Sequence, residues 1–363
     1  RLIAALRDGH AGVYPAESVK KEVTWPGPDL SAGPGLFLCR IKKKIHVKFV
    51  WSNAARAGIE PGMEVVKIDK MPAAKWLDQR MAMLRETWSI STDQRAFFDA
   101  CHHGPGGPPG TTLKLELRRL DKRTKKVTVT RGKASTVPVG PVVFPKGLKR
   151  IGRQSYGKLE SGHGYIHLRK MRTEVVDQLD KMLGEIGNVP GMILDFRANG
   201  GGGFDHDGFL GRFVPEGKKL SRAKAYALPS AGATPYGGPV VVIVDAGVFS
   251  AGETGSGMFK EDGRAYMIGE TPTAGSSSSK TTIELPSKLF SLFVSVRSNK
   301  GRFQGGRGIE GIGIIPHEIV EYDAKDLANG VDTLIKRAEA IFKKFPQNKV
   351  AYRPHQHGWK PPR

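Results

Sequence analysis

Two segments of this chain carry residues that could do chemistry. In VVVIVDAGVFSAGETG an apolar run ends in a short loop that delivers Ser250 to the start of a helix. A hydroxyl there sits at a strand end beside the unpaired N–H groups of a first helical turn, which can hold a developing oxyanion. The same position also suits a serine that only caps the helix. In GMILDFRANGGGGF a strand leads to Asp195, Arg197, Asn199 and four successive glycines. Lacking Cβ atoms, that backbone can approach a ligand closely and turn its N–H groups inward, at an entropic cost that mere filler would not carry. A phosphate-binding loop is the rival reading, but no Gly-Lys-Ser/Thr ending follows, and neither GxGxxG spacing nor an acidic ribose partner is present. Glu253, one turn after Ser250, reads as a helix-start or structural carboxylate. His163, His167 and His206 lie near these motifs without a second ligand at metal spacing, so neither a metal nor a cofactor is expected.

The elements that must position these residues follow from hydrophobic periodicity. Over 145–345, strands (GYIHL, GMILDF, VVVIVD, AYMIGE, KTTIELPSKLFSLFVSVRS) alternate with helices (VVDQLDKMLGEIG and the stretch after FSAGETG), which is the α/β signature. A last helix over ANGVDTLIKRAEAIFKKF carries Leu334, Ala338, Ile341 and Phe342 at helical spacing, and the tail 346–363 is expected to be extended or disordered. Over 35–135, the runs LFLCRI and KIHVKFV and the pair TLKLELRRL and KKVTVTR describe a mostly-β module. Its segment Trp76 to Gly110 reads as a helix plus an inserted flexible loop. Residues 1–30 end a helix at Asp8-Gly9-His10 and enter the connector PGPDLSAGPG. The opening RLIAALRDGH starts inside an amphipathic pattern, as the end of a segment whose upstream part was removed would.

The ordered set DFRANGGGG, FSAGE, GETPTAG and GIEGIGIIP resembles the tail-specific (C-terminal-processing) serine proteases. The processing branch of that family uses a lysine directly after the glycine of its T-x-G-K motif. Ser276 stands there in this chain, and Lys280, four residues on, differs in register along the strand. The tricorn-like branch uses a histidine in an L-x-x-x-H segment, which LRDGH matches at His10. The resemblance implies a ClpP/crotonase-like catalytic core with Ser250 as nucleophile, His10 as base and Glu310 orienting or polarising the histidine side. It also implies an oxyanion hole from Gly201 or Gly202 with Ala251. Taken alone, His10 suits a helix C-cap or a surface position, and Glu310 suits a salt bridge to Arg302 or Arg307. The order S-x-A-x-x-A-G-I-x-P-G-M followed by VVKID resembles an inserted PDZ domain, with Met63 where that family usually has Asp. PGLF, at Pro34 to Phe37, is its candidate carboxylate-binding loop, since such modules capture peptide C-termini in backbone N–H groups.

The implied function is an endopeptidase acting on unfolded or C-terminally exposed polypeptide. A catalytically inactive binding protein for an apolar ligand or peptide on the same scaffold is the alternative, and a crotonase-like acyl-thioester enzyme is a third reading. Export to a periplasm or extracellular space is a further implication, although no export signal opens the chain. No run reaches the roughly 18 apolar residues that span a bilayer. Cys39 and Cys101 cannot build a disulfide framework and form no CxxC pair. The net charge of +22 suits either a basic solvated surface or an anionic partner, and no nucleic-acid motif accompanies it. Oligomeric state is not readable from the sequence.

Overall fold

The apolar runs MILD and VVVIV form the centre of a seven-stranded sheet in a computed structural model that describes residues 2–24, 27–133, 140–215, 234–297, 299 and 303–346. The strand order is Lys149–Ile151, Gln154–Lys158, Gly164–His167, Met192–Asp195, Val240–Val244, Tyr266–Gly269 and Glu318–Ile319. Pairing is antiparallel through the first three strands and parallel from Gly164–His167 onward. Alternate residues of the parallel strands enter two cores. Leu194, Val242 and Val244 pack with the helix Val175–Ile186, while Ile193, Val241 and Ile243 pack with the helix Thr333–Phe342. Burial on both faces is why these strands read as unbroken apolar runs.

A second, antiparallel sheet runs Leu36–Ile41, Lys44–Val50, Glu64–Ile68, Thr112–Arg118, Thr124–Thr130, and Met71–Pro72 pairs with Glu64–Ile68 off that path. It closes over its own core, including Leu38, Val47, Leu77 and Leu113. The third sheet, Gly12–Pro15, Phe290–Arg297 and Ser279–Glu284, ties the first residues of the chain to the late hairpin.

Three local expectations are corrected. The first helix is the single turn Leu2–Ala5, and the chain has left it at Arg7 (φ 49°), before Asp8. The stretch from Trp76 to Gly110 holds two helices, Ala73–Thr87 and Asp93–His102, ahead of the loop 104–110, where one helix was expected. The hydroxyl of Thr92 starts the second by accepting the Arg95 N–H. The last helix holds its whole apolar pattern but is shorter than the segment ANGVDTLIKRAEAIFKKF: Ala324–Ala328 ends, Gly330 turns at φ 67°, and Thr333–Phe342 begins afresh with Asp332 accepting the N–H groups of Leu334 and Ile335. The expected tail, from 347 on, lies outside the described residues.

Asp195 and Arg197, beside the glycine run, prove to be a buried clamp. The Arg197 guanidinium is fully enclosed, donating to Asp195 Oδ2 at 2.6 Å and to Asp332 Oδ2 at 2.8 Å. Asp332 also takes the Val142 N–H, so one carboxylate joins the sheet, the incoming chain and the last helix. Asp332→Ala leaves half of a buried cation uncompensated and uncaps that helix. The expected cost is about 3–5 kcal/mol, read as a lower urea midpoint at unchanged m-value.

Candidate active site

The strand Val240–Val244 ends at Asp245, whose Oδ1 accepts the N–H groups of Ala198 (3.1 Å) and Gly247 (2.9 Å) and so ties the serine loop to the glycine turn. The Phe249 N–H then donates to Asn199 O at 2.9 Å. Ser250 follows at φ 57°, ψ −127°, at the start of the helix Ala251–Glu261. A non-glycine residue held at such angles stores about 1–3 kcal/mol of strain, which clusters at functional sites. The Ser250 N–H donates to Ser276 O at 2.9 Å, and its hydroxyl makes no capping bond. Helix capping is therefore not the work of this side chain. Its Oγ instead accepts a hydrogen bond from Lys280 Nζ at 3.3 Å.

The glycine turn lies against this loop. Asn199, fully buried, donates through Nδ2 to Leu168 O (2.6 Å) and accepts the Gly201 N–H through Oδ1 (2.9 Å). A Cβ on Gly201 would sit 2.6 Å from Ser250 Cβ and 2.9 Å from Ala251 N, which is why the turn can nest on the serine only as glycine. Gly202, at φ 140°, would place a Cβ 1.6 Å from Met171 O. The Gly201 N–H is thus spent within the turn, whereas those of Gly202 and Ala251 have no hydrogen-bond partner among the described residues.

His10 reaches the site through the strand Gly12–Pro15 and packs on Phe249, ring centroids 4.4 Å apart. Gly9 beside it presses on Ser276, where a Cβ would meet Oγ at 1.9 Å. Both ring nitrogens of His10 are buried without a partner among the described residues. Burial lowers the imidazole pKa to about 4, with Lys280 adding to the lowering and Asp8 opposing it. Asp8 is a site residue that the sequence did not single out. Its carboxylate accepts the His10 N–H (2.9 Å) and the Ser295 N–H (2.9 Å), pinning the segment to the hairpin. Lys280, set aside on register, reaches Ser250 from a strand whose pairing is irregular between Ser279 and Lys280, a feature of the kind that can re-aim a side chain. Burial lowers its pKa, and the carboxylates of Glu310, Asp8 and Glu253 oppose that.

Glu310 accepts the Ser277 N–H at 3.1 Å and keeps a second, buried oxygen without a partner among the described residues. Burial raises its pKa, Asp8 adds to the rise, and the Ser277 N–H, Ser278 and Lys280 oppose it. Glu310 thus shares Lys280 and Asp8 with His10 as its charged neighbours. Arg307 donates to Gln304 O, and Arg302 lies outside the described residues. Glu253, wholly buried, accepts from Thr273 Oγ1 (2.6 Å), Gly275 N (2.7 Å) and Ser276 N (2.8 Å). Burial lifts its pKa to about 7 against those three bonds. It is the brace of the loop whose Ser276 carbonyl holds Ser250. The other histidines are bonded elsewhere: His163 with Ser161, His167 with Arg197 O and His206 with Thr254.

A cleft of about 360 Å³ opens beside Phe249. It is lined by the apolar Trp88, Ile90 and Phe98, by the paired Arg95 and Asp99 (2.8 Å) of the helix Asp93–His102, and by Gly200 and Arg169. The same helix braces the site directly, since Gln94 Nε2 donates to Thr273 O (3.0 Å) and Ile312 O (2.8 Å). Strained serine, unspent N–H groups, a neutral imidazole and an adjoining cleft are the parts that acyl transfer through a serine ester requires.

Residues 162–320 match the pattern of Peptidase family S41. Carboxyl-terminal-processing peptidase 2, chloroplastic, of Arabidopsis thaliana is 26% identical over 243 residues, 64% of this chain and 41% of that protein. The carboxy-terminal-processing protease of Bartonella bacilliformis is 24% identical over 305 residues, 79% of this chain and 60% of that protein. The chain thus spans about half the length of these relatives. Among solved structures, mature CPAF superposes with a TM-score of 0.64 at 15% identity, covering 96% of this chain and 87% of that one, a likeness of fold. The segment that carries the Ser250 loop, the glycine turn and Glu310 matches that of peptidase family S41, and the chain resembles the C-terminal-processing serine proteases.

Proposed function

We propose that this chain is a serine endopeptidase that cleaves unfolded or C-terminally exposed polypeptide through an acyl-enzyme at Ser250. The observation that carries it is a strained serine whose hydroxyl does not cap its helix, with two unspent backbone N–H groups in the adjoining segments, at Gly202 and Ala251, and an imidazole packed on the preceding residue. His10 takes the hydroxyl proton as Oγ bonds to the scissile carbonyl carbon, and the oxyanion is held by the Gly202 and Ala251 N–H groups. The C–N bond then breaks, the proton passes to the leaving amine, and water cleaves the ester by the same route. A second assignment of the base is favoured by one contact, Lys280 Nζ on Ser250 Oγ. Burial, which lowers the Lys280 pKa against the opposing carboxylates of Glu310, Asp8 and Glu253, also suits that assignment. We prefer His10, because burial holds its imidazole neutral, with a pKa of about 4, and leaves both ring nitrogens without a partner among the described residues.

The core over 145–345 is read as ClpP/crotonase-like and the module over 35–135 as PDZ-like. In that module Phe37, at the end of PGLF, packs on Trp51 and His102, and an extended substrate would dock there by its C-terminus. Export to a periplasm or extracellular space is the compartment that the resemblance favours. Among the described residues no helix is long and apolar enough to cross a membrane. Treatment with a fluorophosphonate is expected to place one phosphonyl group on the peptide containing Ser250, found by mass spectrometry. An unlabelled protein that binds an apolar ligand would instead be the binding protein.

A further inference from the structure

A group of cations gathers where Arg169 lines the cleft. The hairpin of Lys149–Ile151 and Gln154–Lys158 carries Arg150 and Arg153, both exposed. Gln154, buried beneath it, accepts the Arg169 N–H through Oε1 (2.8 Å) and donates through Nε2 to Lys170 O (2.9 Å). This locks the hairpin to the 169–172 segment, which Met171 N joins to the glycine turn at Gly201 O (3.1 Å). Lys170 Nζ donates to Gly200 O at 3.0 Å, and the Arg172 stem lies 3.7 Å from where a Gly202 Cβ would be. Arg169 itself lines the cleft.

Five cations therefore stand on one braced surface running from the hairpin to the oxyanion turn. They act on one another: after burial, Arg153 and Arg150 lower the pKa of Arg169, and Arg172 and Arg153 lower that of Lys170. Among the described residues, no carboxylate lies within ion-pair distance of Arg150, Arg153, Lys170 or Arg172, whereas neighbouring Lys149 is paired with Glu185. Uncompensated like charge costs stability, and a surface that holds it beside a cleft is matched by an anionic occupant.

We infer that this rim binds acidic side chains of the polypeptide segment flanking the scissile bond, so that the enzyme selects acidic stretches of unfolded chain. What happens to the bound segment rests on the peptidase reading above. The placement of the rim does not. Part of the +22 charge then has a local task, concentrating such segments at the mouth of the cleft.

The test uses three fluorescent peptides: one with three successive Glu and an amidated C-terminus, one with Gln in their place and amidated, and one with Gln and a free C-terminal carboxylate. Binding is measured by anisotropy to Ser250→Ala and to the same protein carrying Arg150→Ser, Arg153→Ser and Arg172→Ser. Hydrolysis is measured with the serine intact. The Glu peptide is expected to bind about tenfold more tightly than its amidated Gln counterpart, as three exposed charge pairs of ordinary strength supply together. That advantage should vanish in the triple variant, and shrink steeply from about 50 to about 300 mM NaCl. Equal binding of the amidated Glu and Gln peptides, or a preference that survives the triple substitution, overturns the inference. So does a preference gained only by the free carboxylate, which would make the rim a terminus clamp. If the Glu preference is present and no peptide is cleaved, the rim stands and the peptidase reading falls.

Discussion

Ser250→Ala and His10→Ala should each lower kcat/KM for an unfolded polypeptide by about 10⁴-fold or more, and the double variant should lose little beyond either, because nucleophile and base act as a unit. The pH profile tells the two possible bases apart. An imidazole accepts the serine proton only when neutral, and burial holds the His10 pKa down to about 4. Activity is therefore present above that value and lost as pH falls through it, so the acid limb of kcat/KM lies near pH 4 rather than near the roughly 6.5 of an ordinary histidine. Such a base is weak at rest, and the Asp8 carboxylate and the developing oxyanion stabilise the imidazolium once it forms. Lys280 acting as base would give the opposite picture, with activity rising toward alkaline pH as the ammonium loses its proton. Lys280→Met is expected to cost about 10- to 100-fold, the worth of one charge-assisted hydrogen bond to Oγ. It should also move the acid limb upward, because Lys280 helps to lower the His10 pKa. A dead Lys280→Met beside an active His10→Ala would make lysine the base.

What was legible in the sequence is what local pattern encodes. An apolar run breaking into a helix start marked Ser250, and four adjacent glycines marked the turn against it, since both follow from periodicity and from the missing Cβ. The misses are non-local or hidden by a one-residue irregularity. Lys280 was set aside because it lies four residues along the strand from the position of the family's lysine; its side chain nonetheless reaches Ser250 from a strand whose pairing shifts between Ser279 and Lys280, and nothing in SSSSKTT announces a bulge. Asp8 acts by holding Ser295, and the pairing of Gly12–Pro15 with Phe290–Phe293 leaves no local trace at either end. The helix Asp93–His102 did leave a signal. Thr92-Asp93 is a helix-start pair, and reading it would have found the element that lines the cleft and braces the Thr273 loop.

Gly202→Ala is expected to lower kcat by about 10²- to 10³-fold with little change in KM, the signature of a donor that acts only in the transition state. The backbone at φ 140° already disfavours a side chain, and the new Cβ would fall 1.6 Å from Met171 O. The turn must shift, and its N–H must leave the position at which the oxyanion forms. Two neighbours make the result specific. A Cβ on Gly203 meets no atom within 4 Å, so Gly203→Ala should keep its rate within about twofold, as surface substitutions away from special features do. At Gly201 the Cβ would strike Ser250 Cβ, and Gly201→Ala should abolish fluorophosphonate labelling by displacing the nucleophile itself. Gly202→Ala should still be labelled, more slowly, because its serine and its base are in place. Were Gly202→Ala to remain folded and turn over at the parental rate, the second oxyanion donor would have to come from elsewhere. The Gly201 N–H, held by Asn199, could take that part only by giving up the bond that fixes the turn.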